Sequence, residues 1–306
     1  MAKPAKNTRT SLDPDAVRKL LLDAGASVEL GKALGLVSER GGANADAHRK
    51  LKQVAHFLRQ LDAPLADLYA RHDQPVVVDA AAGKSYLGLA LFEVLMQPVG
   101  RGTMLALESR PELVKRVREI AAEQNWTRVQ AVEGRIAEAL LPERIHLMVA
   151  LHACDTATDE ALIAAVTRNA DYIAVVPCCQ AELYRQLGDA SMPEPWRLLW
   201  DHPLHRRELG AAFTNAIRAS VLRCLGYEVT VTELAASEHS PKNELILGRR
   251  VGRFHKPERA RLAALLASLP IVPILVSALL PELLPSGGQS SIQPSTELPG
   301  VADTEA

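Results

Sequence analysis

The chain reads as an α/β protein built on a mostly parallel sheet of seven strands, with helical additions before and after it. Three observations predict this. From Val76 onward, short apolar runs rich in valine and leucine alternate with helical patterns, and such alternation builds a parallel sheet covered on both faces. The alternation closes with two strands, 227–234 and 244–249, joined by a loop without a helix, which fits an antiparallel hairpin. Asp79, Glu108, Glu133, His152 and Cys178 all fall at the end of a strand or just after it. That is the edge where open α/β sheets bind their ligands.

Taken in order, residues 1–10 are polar and basic and are expected to be disordered. Ser11 or Asp13 can cap a helix that has Pro14 at its first position and Val17, Leu20 and Leu21 on its apolar face. After Gly41-Gly42 a second amphipathic helix is expected over 46–61, with Leu51, Val54, Leu58 and Leu61 inside. Its charges, among them His48, Arg49, Lys50, Lys52 and Arg59, make either a solvated face or an RNA-facing cap. Strand 76–79 then leads to helix 85–96, and strand 103–107 to a helix over 111–124 that starts at Pro111. Strand 129–132 ends in Glu133-Gly134, and a short helix precedes strand 146–151. Helix 158–167 leads to strand 172–176, which runs into Pro177-Cys178-Cys179. A loop containing Pro and Trp separates that strand from helix 211–225. The expected divisions are a helical region over 1–71, the sheet domain over 72–252, a helical extension over 253–285 and a disordered tail over 286–306.

Composition narrows the class. Lys and Arg number 35 against 36 Asp and Glu, so no global field marks a nucleic-acid partner. Locally, Arg249, Arg250, Arg253, Lys256, Arg259 and Arg261 face one acid, Glu258, across 249–261. Four cysteines in 306 residues do not make a disulfide framework. The first residues lack an apolar signal core, and the apolar run 269–284 is interrupted by prolines and shorter than the roughly 20 residues a membrane span needs. A cytoplasmic location is expected, with that run forming a buried helical hairpin or docking segment.

The stretch PVVVDAAAGKSYLGLAL (75–91) turns from a strand into a helix through small residues. Such a turn aims backbone N–H groups at a ligand, helped by the positive end of the helix. It resembles the first motif of an S-adenosylmethionine methyltransferase, acidic-x-Gly-x-Gly-x-Gly, with Gly83 in place but Ala81 and Ser85 at the outer glycine positions. Further segments carry a closer resemblance: LHACDTATDEAL (151–162), VVPCCQAELY (175–184), 202–229 and HSPKNELILGRR (239–250). Together they resemble the methyltransferase-domain family that includes the glutathione S-transferase C-terminal-domain protein, distantly similar to eukaryotic tRNA ribose methyltransferases. The matching residues are Leu151, His152, Cys154, Thr158, Asp159, Pro177, Cys178 and Cys179. Asp155 stands where that family usually has glycine. The resemblance spans roughly 46–250 and implies a class I methyltransferase fold, S-adenosylmethionine as cofactor and RNA, tRNA or rRNA, as the first candidate acceptor.

The candidate cofactor residues are Asp79, Ala81, Gly83, Lys84, Glu108, Glu133, Gly134 and His152. Glu108 is placed to accept bonds from two ribose hydroxyls, unless it is only a helix-start acid before Pro111. Lys84 could reach a methionine carboxylate or a substrate phosphate. Arg135 stands where an acidic side chain commonly holds adenine, leaving Glu133 or backbone groups for that contact. The candidate catalytic residues are His152, Cys154, Cys178 and Cys179. His152 titrates near neutrality and could take a proton from the acceptor, or it could be a packed strand-end histidine. The three cysteines could shape the pocket floor, and Cys178 could act as a nucleophile in a Pro-Cys pair. With His152 they could also form a zinc set, but H-x-C and adjacent cysteines suit chelate loops poorly, so no metal is expected. Asp159 reads as a helix cap. His202, His205, Arg206, Arg207 and the loop Ser240–Asn243 are expected at the substrate rim, forming with 249–261 a discontinuous basic surface. The remaining alternatives are a protein or small-molecule acceptor and a binding module without turnover. A nicotinamide-dependent dehydrogenase is disfavoured by the terminal strand–loop–strand.

Overall fold

Seven short runs rich in branched and small residues form the sheet: β1 (Val76–Ala80), β2 (Thr103–Glu108), β3 (Val129–Glu133), β4 (Leu147–Leu151), β5 (Tyr172–Val176), β6 (Tyr227–Glu233) and β7 (Glu244–Arg250). The computed structural model describes residues 25–285 except 152, 179–180, 190–191, 193 and 235–242. The helix expected from Pro14, the tail from 286, His152, Cys179 and the hairpin residues 240–242 lie outside the described residues. The strand order is β3-β2-β1-β4-β5-β7-β6. β1 to β5 pair in parallel, and β7 lies antiparallel to both β5 and β6. Order reverses beside β1, whose neighbours are β2 and β4, and this opens a crevice at the carboxyl ends of these strands.

Because β7 runs back against β5, Tyr172 at the start of β5 faces Arg249, and Tyr227 at the start of β6 faces Arg250. The two arginines therefore stand at the amino edge of the parallel strands, across the sheet from the crevice. This splits the basic surface expected from the sequence: the run beginning at Arg249 does not join the substrate rim.

Side chains alternate between the two faces, as the strand repeat demands. Val77, Val149 and Ala174 point into one core with Leu30, Phe57, Leu61 and Leu68 from the N-terminal helices α1 (Val28–Ala33) and α2 (Ala45–Arg71). Asn44 caps α2 by accepting from the Ala47 amide at 2.9 Å. The helix runs well past the expected 61, with Pro64 inside it and Leu65 and Leu68 still buried, because packing on the core outweighs one lost hydrogen bond. α1 is tied down by Ser27, whose hydroxyl and amide both donate to Glu93 (2.6 and 2.9 Å). Glu93 belongs to a π-helical turn, Phe92–Met96, that continues α3 (Tyr86–Leu91).

Val78, Met148 and Ile173 point to the opposite core. It is covered by α5 (Thr156–Thr167), α8 (Pro203–Cys224), α9 (Lys256–Ser268) and α10 (Ile274–Leu279). The apolar run 269–284 docks here as expected, through Leu275, Val276 and Leu279. It is latched to α6 (Ala181–Asp189): Glu182 accepts from the Ile274 amide and Gln186 from the Val272 amide, both at 2.7 Å. α4 (Pro111–Glu123) joins β2 to β3, with Pro111 at its first turn as expected. The short helix expected between Gly134 and β4 is a series of turns. The expected Pro- and Trp-containing loop instead holds α6 and α7 (Glu194–Trp200), and α8 begins at Pro203. His205, Arg206 and Arg207 consequently ride on the first turns of a 22-residue helix that starts at the carboxyl edge.

Candidate active site

The turn after β1 keeps the backbone of a three-glycine loop without keeping the glycines. Ala81, Gly83 and Ser85 have φ of 51°, 58° and 51°, left-handed at every position where the motif calls for glycine. A non-glycine residue there costs about 1–2 kcal/mol, so the surroundings must impose the shape. The Ala82 amide donates to the Leu107 carbonyl (2.9 Å), the Ser85 amide to the Ala82 carbonyl (2.7 Å) and the Gly83 amide to Glu108 (2.7 Å). The Ser85 hydroxyl and the Gly88 amide both donate to Asp79 Oδ2 (2.8 and 3.1 Å). A Cβ on Gly88 would stand 2.5 Å from that same oxygen, so only glycine lets the helix close over the acid.

Asp79 is therefore a buried strut beneath the turn, where the sequence reading placed a ligand contact. Burial pushes its carboxyl up to about 7, with Glu108 adding to the rise and the Ser85 and Gly88 bonds opposing it. Glu108, at the end of β2, behaves in the opposite way. Burial works to raise it, but bonds from Arg110 and the Gly83 amide outweigh that and hold it below its ordinary value. Arg110 Nε donates to Glu108 Oε1 at 2.9 Å while its own side chain stays 59% exposed, so the guanidinium can swing away and leave the carboxylate to another donor.

Glu108 borders a cleft of about 220 Å³ at the strand ends, lined also by Ala81, Ser109, Gly134, Arg135, Cys154 and Glu160. Ala81, Glu108 and Gly134 thus line one cleft, and Cys154 joins them. Lys84 and Glu133 are exposed and stand outside this lining. Arg135 lies 4.0 Å from Glu160 at the cleft wall.

The loops after β4 and β5 approach each other beside this cleft. Cys154 Sγ and Cys178 Sγ are 3.0 Å apart, Cys154 exposed and Cys178 buried. Asp155 has φ 52° and ψ −123°, a glycine-like conformation. Its carboxylate gives something glycine lacks: Oδ1 accepts from the Ala181 amide (3.2 Å) and Oδ2 from Arg185 (2.6 Å), joining the two loops. Asp159 is a buried ion-pair partner, correcting its reading as a cap. Arg218 reaches it from α8 with Nε and a terminal nitrogen (2.9 and 2.6 Å) and also donates to Asn215 and to the Asp155 carbonyl (both 3.1 Å). Sequence reasoning missed Arg218, though an arginine amid Asn215-Ala216-Ile217 and Ala219-Ser220-Val221 was the available signal.

Near the start of α8, the Arg206 guanidinium lies over the Tyr184 ring (5.3 Å), and the His202 and His205 rings meet edge to face (5.3 Å). Among the described residues, Arg206 Nε is buried without an acceptor. A different cluster, His72, His146 and Asp171, brings possible ligand atoms within 4.8 Å of one another. It lies at the amino edge, and its carboxylate already takes Arg71 (3.0 Å) and Arg144 (2.8 Å).

Comparison with known proteins bears on the same residues. Residues 49–186 match the family model described as a methyltransferase domain. The matched segment takes in β1 to β5 and the turns that frame the cleft. No curated protein matches the sequence. Among solved structures, an rRNA methylase from Streptococcus thermophilus is 11% identical, with 62% of this chain and 94% of that one covered and a TM-score of 0.40. The S-adenosylhomocysteine-bound methyltransferase PaMTH1 of Podospora anserina is 12% identical over 79% and 90%, with a TM-score of 0.41. Magnesium protoporphyrin IX methyltransferase from Synechocystis PCC 6803, also holding S-adenosylhomocysteine, is 13% identical over 65% and 86%, with a TM-score of 0.39.

Among the described residues, no helix is long and apolar enough to cross a membrane.

Proposed function

We propose that this chain moves a methyl group from S-adenosylmethionine to RNA. The residues present fit the donor: the turn after β1 holds a three-glycine backbone shape, and Glu108 offers a carboxylate to hydroxyl donors at the cleft wall. Ala81, Glu108 and Gly134 would hold the nucleoside part. When bound, the donor supplies an electrophilic methyl on a sulfonium, open to direct displacement. The chain's task is then to align the acceptor and exclude water. Asp155 and Arg218 fix the loops after β4 and β5 that frame the acceptor's entrance, and Cys154 and Cys178 form its small floor. We assign to His152, which follows β4 directly in the chain, the removal of the acceptor's proton.

One observation carries the choice of RNA. Arg206 presents a buried Nε without a described acceptor at the rim, beside exposed Arg207, His202 and His205. A phosphate would complete that set. The test supplies labelled S-adenosylmethionine to the pure protein with fractionated cell extract. Label is expected in the RNA fraction and absent from RNA-free extract. Label confined to protein or small molecules would overturn the RNA assignment. S-adenosylmethionine, unlike a nicotinamide dinucleotide, is also expected to raise the melting temperature.

A further inference from the structure

The amino edge of the sheet carries a second surface with nucleic-acid chemistry. The segment Arg249–Lys256, RRVGRFHK, holds three arginines, a histidine and a lysine with no acid. Antiparallel pairing sets Arg249 opposite the first residue of β5, so this segment lies the length of a strand, roughly 16 Å for five residues, from the cleft. Its backbone is fixed: the Val251 and Gly252 amides donate to the Gly226 carbonyl (2.9 and 3.0 Å) and the Arg250 amide to the Asp171 carbonyl (2.8 Å). Its side chains are not tied down in the same way. Arg249, Arg250 and Arg253 are exposed, and none has a carboxylate within ion-pair distance among the described residues. They line a groove of about 700 Å³ with Arg223, Tyr227 and His255, and its one acid is Glu228. Phe254 stands 59% exposed and Val251 40% exposed beside the cations.

Exposed arginines on a rigid edge, with Glu228 across the ladder from Arg249 and Asp67 within reach of its charge but no carboxylate at ion-pair distance, and with an exposed phenylalanine next to them, match a sugar–phosphate backbone and an unstacked base. An acidic peptide would satisfy the charges and leave Phe254 without a role. We propose that this groove binds the backbone of the substrate RNA at a distance from the reacting nucleotide, with Phe254 stacking on a base. This rests on the reading of RNA as the acceptor. It implies a substrate that wraps from one edge of the sheet to the other, with its body held where no chemistry occurs.

The experiment uses the full chain and the triple variant R249Q/R250Q/R253Q, with F254A as a separate, milder change. Binding of bulk tRNA and of rRNA fragments is followed by anisotropy across a salt series. The triple variant is expected to bind about tenfold more weakly or worse, and its plot of log affinity against log salt should be shallower by about 2 to 3, near the value for three lost phosphate contacts. F254A should lose about fivefold or more with an unchanged slope, because stacking is not a counterion effect. S-adenosylmethionine affinity and melting temperature should stay as in the parent. An unchanged affinity and slope in the triple variant, while the parent binds RNA, would overturn the groove alone. Failure of the parent to bind any RNA would overturn the acceptor assignment and the groove with it. Binding of poly-glutamate as tightly as RNA, lost in the triple variant, would assign the groove to an acidic protein instead.

Discussion

The turns that leave β1 and β4 place a buried aspartate beneath a strained loop, but the two acids are neutralised differently. Under the first turn Asp79 has only neutral donors, the Ser85 hydroxyl and the Gly88 amide. Under the second, Asp159 meets the guanidinium of Arg218, each of them 1% exposed. A buried carboxyl with neutral partners relieves its desolvation by keeping a proton. One that meets a bidentate guanidinium has its geometry set by the fork of the arginine. The first arrangement suits a turn that must lie close to a ligand without adding charge. The second suits a pair of loops that must hold one spacing, since the same guanidinium also grips the Asp155 carbonyl.

The largest effect should come from breaking the charged arrangement. Arg218→Met strands Asp159 in the core, and removing one member of a buried pair costs about 3–5 kcal/mol. Chemical denaturation should show that loss, and Arg218→Met with Asp159→Leu together should recover most of it. A single variant within 1 kcal/mol of the parent, on the order of an exposed pair, would mean that the loops are held by something else.

The neutral arrangement should show itself through pH. Asp79 has a folded pKa raised to about 7, above the roughly 3.9 of an unfolded chain. Between these values the folded state binds more protons than the unfolded state, so this group's contribution is complete below about pH 4 and is lost as pH rises toward 7. Glu182, which burial also lifts to about 7, acts in the same direction. His146, which burial lowers to about 4, acts oppositely, adding stability as pH rises from about 4 to 6.5. The clean measurement is therefore the difference between Asp79→Asn and the parent. The variant should gain on the parent between pH 4 and 8 by on the order of 3 kcal/mol. A flat difference would place a cation or water channel beside Asp79.

Next in size is the Asp155 pair of variants. Asp155→Ala keeps the left-handed strain and loses the bonds to Ala181 and Arg185, for a cost of about 1–2 kcal/mol. Asp155→Gly loses the same bonds but relieves the strain, and its midpoint should fall within about 0.5 kcal/mol of the parent. Equal losses in both would show that the lost carboxylate bonds account for the whole effect and that the left-handed backbone stores no strain.

The strands and the closing hairpin were legible because each strand is a run of branched or small apolar residues with a distinct stop. The site was legible as a location for the same reason: Glu108, Gly134 and Cys154 are all special residues just past such runs. What could not be read was the direction in which those side chains turn. Asp79 and Glu108 look alike in sequence, and only the close approach of Gly88 shows that one is covered. Arg218 and Asp159 are 59 residues apart, and nothing local pairs them. The basic run at 249–261 was read as rim because charge is visible in sequence. The edge of the sheet it occupies depends on the antiparallel register of β7, and that register comes from packing.

The smallest effect tests whether the glycine-free turn is merely tolerated or built in. Ala81 contributes no side-chain bond, so Ala81→Gly removes only strain. That relief, offset by the extra freedom of glycine in the unfolded chain, should leave a gain of about 0.5 kcal/mol. Ser85→Gly relieves similar strain but takes the hydroxyl donor from a buried acid, and a net loss of about 1 kcal/mol is expected. Opposite signs for two substitutions of the same kind in one turn would show that Ser85 is held in its conformation by Asp79 while Ala81 is held by its neighbours. If both variants gain stability and hold S-adenosylmethionine more tightly, the Ser85–Asp79 bond contributes nothing, and the turn is simply a glycine loop in which two glycines have been replaced at a cost.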